Sequence, residues 1–386
     1  MSIFKRPNET PEYPSHIYYD LNMINNDTTG QNPPLFLKFN EIRNSPVLQD
    51  PSQYFLSIIR FSLDTPSLPL FIPQVILNQP NPRLLIYTIT MTYDVGANTI
   101  TNQENIIFEA QDVSQPVPRP PLTAQDVSSE FYFIYSYQHW IRNVNQCITT
   151  CFNNLKTKVI TAGGTLPTDN IPFMKWDNPT CTATIYADKA GFDNALANPI
   201  LFYMNTPLYT LFSSFEATYY GYSSNVVFGE NFLINIYDNG TNSQTIGTYT
   251  ALVMQQEYST SPLWNPVQAI TFNTSLIPVN PDLVSVPKVY NSNQALFNVG
   301  NNSNIDNVLT DFQVSLMKGN EWKPNIYYSP QSEYRLVQLN GNNPLSSIEL
   351  TVFWRDAFSN LHPFNLTSGC TGTVKILFRK KSFNGL

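Results

Sequence analysis

The sequence contains few charged residues. Asp, Glu, Lys and Arg make up 13% of its 386 residues, about half of their share in an average soluble protein. The surface must therefore consist largely of Asn, Gln, Ser, Thr and Tyr, which favours polar, hydrated contacts between protein copies. A monomeric secreted β-sandwich with a polar surface fits this composition equally well. The net charge of −7 argues against general nucleic-acid binding, which requires a basic surface.

Long apolar runs are also missing. Without a stretch of about 20 apolar residues, no transmembrane helix is expected. The sequence becomes polar within its first nine residues and lacks the apolar centre of a signal peptide, so we expect the protein to remain in the compartment of its synthesis. Cys147, Cys151, Cys181 and Cys370 are too few for a disulfide-stabilised scaffold, and we expect all four to be reduced packing residues.

Histidine is scarce. His16, His139 and His362 are far apart in the sequence, and none has the spacing of a metal ligand. No serine elbow or Cys/His signature accompanies them, so each is expected to be a hydrogen-bonded structural imidazole. Two carboxylates that meet only in space stay possible, because a sequence does not reveal such a pair. The sequence therefore predicts no catalytic, cofactor-binding or metal-binding residue, and no enzyme.

Strand-forming residues dominate the sequence. Its 30 prolines divide the chain into short pieces, between which Ile, Val, Phe, Tyr and Thr are concentrated. This pattern predicts a mostly β protein with two sheets packed face to face. The clearest predicted strands are 17–24, 54–63, 84–93, 200–203, 232–237, 268–276, 334–339, 348–354 and 373–379.

One segment follows a different pattern. Residues 124–156 contain no proline or glycine, and their apolar residues recur every three or four positions, the spacing of a long amphipathic helix. The proline-rich segment 115–121 before it is expected to be extended and to mark a domain boundary near residue 110. A second boundary is expected near residue 245. Gly163 and Gly164 are expected to form a hairpin between strands.

Several segments carry a resemblance to a known family. Together they resemble the penton, or minor capsid, proteins of Sputnik-type virophages and the minor capsid proteins of polinton-like viruses. The matching segments are spread over most of the chain and contain no mechanistic motif. They are Tyr18-Tyr-Asp-Leu-Asn-Met-Ile-Asn-Asn, Phe39-Asn-Glu-Ile-Arg-Asn-Ser-Pro, Tyr54-Phe-Leu-Ser-Ile-Ile-Arg-Phe-Ser-Leu-Asp-Thr-Pro, Trp176-Asp-Asn-Pro, Asn205-Thr-Pro-Leu-Tyr-Thr-Leu-Phe, Trp354-Arg-Asp-Ala-Phe-Ser-Asn-Leu-His-Pro-Phe and Val374-Lys-Ile-Leu-Phe-Arg-Lys-Lys.

The resemblance implies a fold and a role. The implied fold is a single jelly-roll β-sandwich with an inserted, largely β domain that carries the long helix. We assign residues 1–110 and 245–386 to the jelly roll and residues 111–244 to the insertion. The implied role is that of a homopentamer, the penton, at the fivefold vertices of an icosahedral virion, in contact with the major capsid protein. Such a virion is assembled in the host cytoplasm or in a viral factory within it.

A tyrosine cluster is the candidate interface of such a subunit. Tyr219, Tyr220 and Tyr222 lie close together in the sequence, and a tyrosine ring can pack while its hydroxyl still binds a partner. A twisted strand packed against the helix explains the cluster at least as well. The sequence therefore leaves both interpretations open.

Basic residues near the two ends of the sequence are a second candidate. They could contact packaged DNA weakly, through charge alone. Solvated tails explain them better, because five charges bind weakly at physiological salt. These residues are Lys5, Arg6, Arg379, Lys380 and Lys381.

Three further functions stay open, because jelly rolls carry unrelated functions. The insertion could bind a host surface glycan or receptor. A polysaccharide-active enzyme with a spatial carboxylate pair is a less favoured alternative. A major capsid protein is disfavoured, since the chain is short for two jelly rolls. No cofactor is expected.

Overall fold

The computed structural model is mostly β, which confirms the predicted class. Its elements lie in two compact units. Unit 1 comprises the described parts of residues 1–68, 267–315 and 323–386, and unit 2 comprises those of residues 69–266. The structure describes residues 14–30, 32–122, 129–221, 229–280, 282–283, 288–290, 296–298, 305–314, 324–329 and 335–381.

Short strands make up most of the regular structure, and each of the nine predicted strands overlaps an observed one. The strands are β1 (His16–Ile24), β2 (Leu35–Phe36), β3 (Lys38–Ile42), β4 (Tyr54–Asp64), β5 (Leu84–Val95), β6 (Asn98–Ile107), β7 (Phe173–Asp177), β8 (Thr182–Asp188), β9 (Leu201–Met204), β10 (Ala217–Tyr219), β11 (Phe232–Ile234), β12 (Ser243–Ile246), β13 (Tyr249–Gln255), β14 (Ala269–Asn273), β15 (Asp282–Leu283), β16 (Lys288–Tyr290), β17 (Leu296–Asn298), β18 (Ile305–Asp306), β19 (Val308–Gln313), β20 (Asn325–Tyr328), β21 (Val337–Gln338), β22 (Ser347–Arg355), β23 (Leu361–Pro363), β24 (Asn365–Leu366) and β25 (Thr371–Lys380). The α-helices are α1 (Tyr137–Thr161), α2 (Lys189–Phe192) and α3 (Thr206–Leu211), and 3-10 turns span Pro51–Gln53, Glu130–Tyr132 and Ser261–Leu263.

Unit 1 is built on two antiparallel sheets. The first has the order β1-β25-β4-β20, with β21 also paired to β4. The second has the order β19-β14-β22-β23, with β3 also paired to β22. Along the chain, β1, β4, β20 and β25 belong to the first sheet and β3, β14, β19 and β22 to the second, so the chain crosses repeatedly from one sheet to the other, a path typical of a jelly roll.

Aromatic side chains fill the space between these sheets. The ring of Phe61 on β4 lies 5.2 Å from that of Phe272 on β14 and 4.8 Å from that of Phe312 on β19. Leu350 and Val352 on β22 are fully buried in the same unit. The two sheets of unit 1 therefore pack face to face, as the strand-forming pattern of the sequence predicts.

Unit 2 combines two sheets with the long helix. One sheet has the order β10-β11-β9-β5-β6, and the other has the order β12-β13-β8-β7. Helix α1 packs against β5 and β6 of the first sheet and against β7 of the second. Trp140 of α1 and Trp264 are fully buried in the core of this unit. Within the described residues, none of the helices combines the length and apolar character that a membrane span requires.

Helix α1 begins later than the predicted helix 124–156. It covers Tyr137–Thr161, and residues 123–128 lie outside the described residues. Phe131 lies in a 3-10 turn, and Ile134 is extended, with its N–H donating to the carbonyl of Phe71 at 3.0 Å. Both side chains are buried. Their apolar spacing therefore arises from a packed 3-10 turn and a β-bridge. In the sequence, such a segment has the same spacing of apolar residues as an amphipathic helix, so the spacing alone does not separate the two.

Gly163 and Gly164 end α1 and do not form the predicted hairpin. Gly163 has a φ of +80°, a left-handed conformation that glycine adopts readily after a helix. Its N–H donates to Ile160 and that of Gly164 donates to Val159, both at 2.9 Å. The pair thus satisfies carbonyl groups of the last helical turn.

The units do not have the predicted boundaries near residues 110 and 245. The first boundary falls directly after Leu68, and the second falls directly before Val267. Strands β5 and β6, which the sequence places in the jelly roll, belong to unit 2, where β5 pairs with β9. The proline-rich segment is a loop of unit 2, since the carbonyl of Pro121 accepts a hydrogen bond from Asn78 at 3.0 Å. Proline content therefore indicated an extended loop but not a domain boundary.

Candidate functional site

The predicted tyrosine cluster lies at edge strand β10 of the five-stranded sheet of unit 2. Tyr219 and Tyr220 each expose 43% of their surface, whereas Tyr222 lies outside the described residues. The ring of Tyr219 stacks on Phe232 at 4.6 Å, and Phe232 stacks on Tyr209 of α3 at 3.9 Å. One face of the cluster is therefore supported by stacked rings, while the rest is open to contact.

Polar side chains of residues that flank β10 and β11 lie beside this cluster. Tyr237 donates a hydrogen bond to Glu216 at 2.9 Å, and this bond to a carboxylate raises the pKa of Tyr237. Asn235 also donates to Glu216, at 3.3 Å. We call Tyr219, Tyr220 and Tyr237 the tyrosine edge. Its exposed aromatic area and its polar hydroxyl groups suit a polar, hydrated protein contact.

The basic cluster at the end of β25 is engaged within unit 1. Lys381 donates to the carbonyl of Leu339 at 3.0 Å, and its ammonium lies 5.4 Å from the centre of the Phe55 ring. Burial lowers the pKa of Lys381. Arg379 and Lys380 are half-buried in β25. The predicted basic residues Lys5 and Arg6 lie outside the described residues.

Glu349 on β22 is a buried carboxylate that the sequence did not single out. It accepts hydrogen bonds from the N–H of Ser275 at 2.6 Å and from the Thr351 hydroxyl at 2.9 Å. Lys38 lies 3.3 Å away. Burial raises the pKa of Glu349, but the hydrogen bonds from Ser275, Thr351 and Lys38 outweigh it, so the net pKa is lowered. Glu349 therefore anchors the loop after β14 as an ionised group.

Each histidine is hydrogen bonded, as the sequence predicts. His139 on α1 contacts the carbonyl of Glu109 at 2.8 Å through Nε2, and His16 contacts the Ser15 hydroxyl at 3.0 Å. His362 lies 3.0 Å from the Asp356 carboxylate. Its ring stacks on the indole of Trp354 on β22, with the ring centroids 4.0 Å apart. The contacts of His139 and His362 join separate segments of the chain and give these two imidazoles a structural role, whereas the contact of His16 is with its sequence neighbour.

The four cysteines are buried and free. Burial raises the pKa of Cys151 to about 12 and that of Cys147 well above its ordinary value. Since the thiolate is the nucleophile and metal ligand, these thiols are held in their unreactive form. In the part of the chain that the structure describes, no group of three or more His, Cys, Asp or Glu side chains is placed to hold a metal ion.

Both units match a known family, and the match covers nearly the whole chain. The family model described as Sputnik minor capsid protein V18/19 matches residues 17–380. The chain belongs to this family. The match confirms the resemblance of the matching segments to virophage minor capsid proteins, and it extends across both units.

Two curated proteins of the Sputnik virophage are similar to this V18/19-family protein. Structural protein V19 is 29% identical over 213 residues, which cover 54% of this chain and 94% of V19. The protein named uncharacterized protein V18 is 29% identical over 152 residues, which cover 38% of this chain and 87% of V18. Each relative is matched over most of its length.

Two solved structures have a similar fold. A chain in the 3.5 Å cryo-EM structure of the Sputnik virophage has a TM-score of 0.81 and 25% identity, with 97% of this chain and 100% of that chain covered. The crystal structure of the mavirus penton protein has a TM-score of 0.63 and 17% identity, with 95% and 100% covered. The second likeness concerns the fold alone.

This V18/19-family protein is therefore a minor capsid protein of the virophage type. It is a structural component of the virion, which agrees with its charge-poor composition and with the structural roles of Glu349, His139 and His362. Among the predicted site residues, the structure brings Tyr219 and Tyr220 to one surface and places the basic residues of β25 elsewhere, in unit 1.

Proposed function

We propose that this protein forms homopentamers that close the fivefold vertices of an icosahedral capsid. The supporting observation is the likeness, at a TM-score of 0.81 over 97% of the chain, to a chain of the Sputnik virion structure. The fold likeness to a protein named a penton adds to it. In this proposal, unit 1 is the jelly roll and unit 2 is its inserted domain. The major capsid protein of the same virus surrounds the pentamer, and the particle is assembled in the host cytoplasm or a viral factory. The role is structural, without enzymatic activity.

A fivefold ring requires two different patches on each subunit, because one patch must meet another on its neighbour. Tyr18 on β1 and Tyr327 on β20 lie on strands at opposite edges of the first sheet of unit 1. Their side chains are 59% and 60% exposed. A lasting interface buries on the order of 1,000 Å² and uses aromatic side chains at its centre. The two edges of this sheet therefore suit a ring in which β1 of one subunit faces β20 of the next.

Contact with packaged DNA is the less favoured partner proposal. The ammonium group of Lys381 is already bonded to Leu339 and lies over Phe55. Fewer cations at and after the end of β25 are then available to neutralise phosphates, and electrostatic binding to DNA grows with the number of phosphates neutralised. DNA contact would depend mainly on Lys5 and Arg6, which lie outside the described residues.

The copy number can be measured on capsomers released from purified particles. Mild destabilisation of the particles, followed by native mass spectrometry, should release a complex of five chains, about five times the chain mass of 43.9 kDa. The matched variants Tyr18→Ser and Tyr327→Ser should each reduce its yield, while Tyr258→Ser, an exposed tyrosine of unit 2, should not. A released complex of any other copy number would overturn the proposal.

A further inference from the structure

A polar groove of about 750 Å³ follows one side of helix α1 in unit 2. Its floor is a helical stripe in which lining residues recur every three or four positions, so that they share one face of α1. Strand β6 and the segment after it form one wall, and β7 forms the other. The floor residues are Gln138, Arg142, Asn145, Gln146 and Thr149.

Side-chain hydrogen bonds fix both walls to the helix. The amide of Asn145 donates to the carbonyl of Met174 on β7 at 2.8 Å and accepts from its N–H at 2.7 Å. On the other side, the N–H of Glu109 donates to Asn143 at 3.3 Å, and its carbonyl contacts His139 at 2.8 Å. The groove is therefore preformed, which reduces the entropy lost when a ligand binds.

Three cations line the groove, and two of them are held in place. Arg83 is half-buried, and its Nε donates to the carbonyl of Phe108 at 2.7 Å. The ammonium of Lys175 lies 4.9 Å from the centre of the Tyr186 ring. Arg142 is exposed on α1. A concave site with fixed cations can concentrate an anion even on a chain whose net charge is −7.

Two carboxylates in the same groove limit which anion fits. Glu104 and Glu109 line it together with the three cations, so the lining carries a small net positive charge. Glu104 accepts hydrogen bonds from Asn102 at 3.0 Å and Asn154 at 2.8 Å. A polyanion such as DNA would place phosphates against these carboxylates, at a cost in repulsion. A ligand with few negative charges and many hydroxyl groups avoids most of this repulsion.

We propose that this groove binds an oligosaccharide that carries carboxylate groups, such as a sialylated or uronic-acid-containing glycan. A guanidinium binds a carboxylate through two parallel hydrogen bonds, the role assigned to Arg83 and Arg142. Gln146 supplies donors and an acceptor for sugar hydroxyls, and Asn105, whose amide donates to the carbonyl of Leu85 at 2.9 Å, keeps one N–H and its oxygen for them. The Thr149 hydroxyl donates to the carbonyl of Asn145 at 2.9 Å and so offers an acceptor only. Ile107, which is 49% exposed, offers an apolar contact for the C–H face of a sugar ring. This inference goes beyond the proposed vertex role and does not depend on it.

A glycan array with the full chain tests the proposal. The array should contain sialylated, uronic-acid-containing, sulfated and neutral oligosaccharides. We expect the carboxylated members to bind at least tenfold more tightly than matched members whose carboxyl groups are reduced to alcohols. Arg142→Glu should weaken that binding at least tenfold. The matched control is Arg119→Glu, which makes the same charge change at an exposed position of unit 2 outside the groove and should leave binding unchanged.

Three results would each overturn the proposal. The first is a folded full chain that binds no carboxylated glycan above the neutral background. The second is equal weakening by Arg142→Glu and Arg119→Glu, and the third is a preference for sulfated polymers over carboxylated ones. The second and third would indicate general attraction to charge. Circular dichroism of each variant checks that it has folded, and Arg142→Lys should bind with intermediate affinity.

Discussion

Phe61 on β4 and Phe272 on β14 meet between the two sheets of unit 1, with their ring centroids 5.2 Å apart. Both side chains are fully buried. In the sequence they stand on either side of residues 69–266, which form unit 2. The core of unit 1 therefore closes only when the segments before and after unit 2 come together.

The first prediction concerns this contact. Phe272→Ala removes a buried ring and leaves a cavity, so it should lower the free energy of unfolding of unit 1 by about 3–5 kcal/mol. Urea unfolding, with hydrogen exchange of unit 1 peptides as the readout, measures the change. The control Leu276→Ala, at an exposed side chain of the same unit, should stay within about 0.5 kcal/mol. A loss below 1 kcal/mol for Phe272→Ala would contradict the packing described for unit 1.

The second prediction concerns Glu349 and acid. Because its pKa is lower in the folded chain than in the unfolded chain, its ionised form stabilises unit 1 above the unfolded pKa. That contribution is lost as the pH falls through the folded pKa. Glu349→Gln should therefore lower stability by about 1–3 kcal/mol at pH 7 and flatten the loss of stability below about pH 4.5.

Unfolding experiments across pH 2–7 would check this prediction. Glu41→Gln, at an exposed residue of the neighbouring strand β3, removes the same charge without breaking the buried network. The structural role of Glu349 fails if Glu349→Gln and Glu41→Gln give the same pH profile.

The third prediction concerns the thiols. Burial raises the pKa of Cys151 to about 12 and that of Cys147 well above its usual range, so neither should react with iodoacetamide at pH 7.5 in the native chain. Both should be fully alkylated after unfolding in urea. Mass spectrometry of the digested protein reports each site separately. Rapid alkylation of either residue in the folded chain would show that α1 does not bury its cysteine face.

The fourth prediction concerns the tyrosine edge. If it contacts other subunits, the double variant Tyr219→Ser and Tyr220→Ser should reduce incorporation of the protein into particles several-fold. The melting temperature of the purified chain should change by less than about 2 °C, because both side chains are half-exposed. Particle composition by mass spectrometry and thermal unfolding of the purified variant provide the two readouts. Normal incorporation would assign the tyrosines to packing of unit 2 alone.

Sequence periodicity predicted the strands better than their partners. The strand-forming segments 348–354 and 373–379 identified β22 and β25 nearly to their ends. The same method placed β5 in the wrong unit, because strand propensity does not encode whether a strand pairs with β4 or with β9. Pairing depends on contacts between distant segments.

The site was less accessible to sequence reasoning than the fold. Tyr219 and Tyr220 are adjacent in the sequence and could be noticed as a cluster. Glu349 could not be identified from the sequence, because its partners Ser275 and Lys38 belong to other segments of the chain. A single acidic residue in a strand does not by itself indicate a buried carboxylate. The groove along α1 is assembled from separate segments in the same way. Side chains that meet only in the folded chain are hidden from a linear reading.

The most direct test of the proposed role is a cryo-EM reconstruction of purified particles, with this chain fitted into the density on the fivefold axes. We expect five copies of the chain at each vertex, with neighbouring subunits in contact through β1 and β20 and with major capsid protein around them. Vertex density that fits another protein, with this chain located elsewhere in the shell or absent from it, would contradict the proposed vertex role.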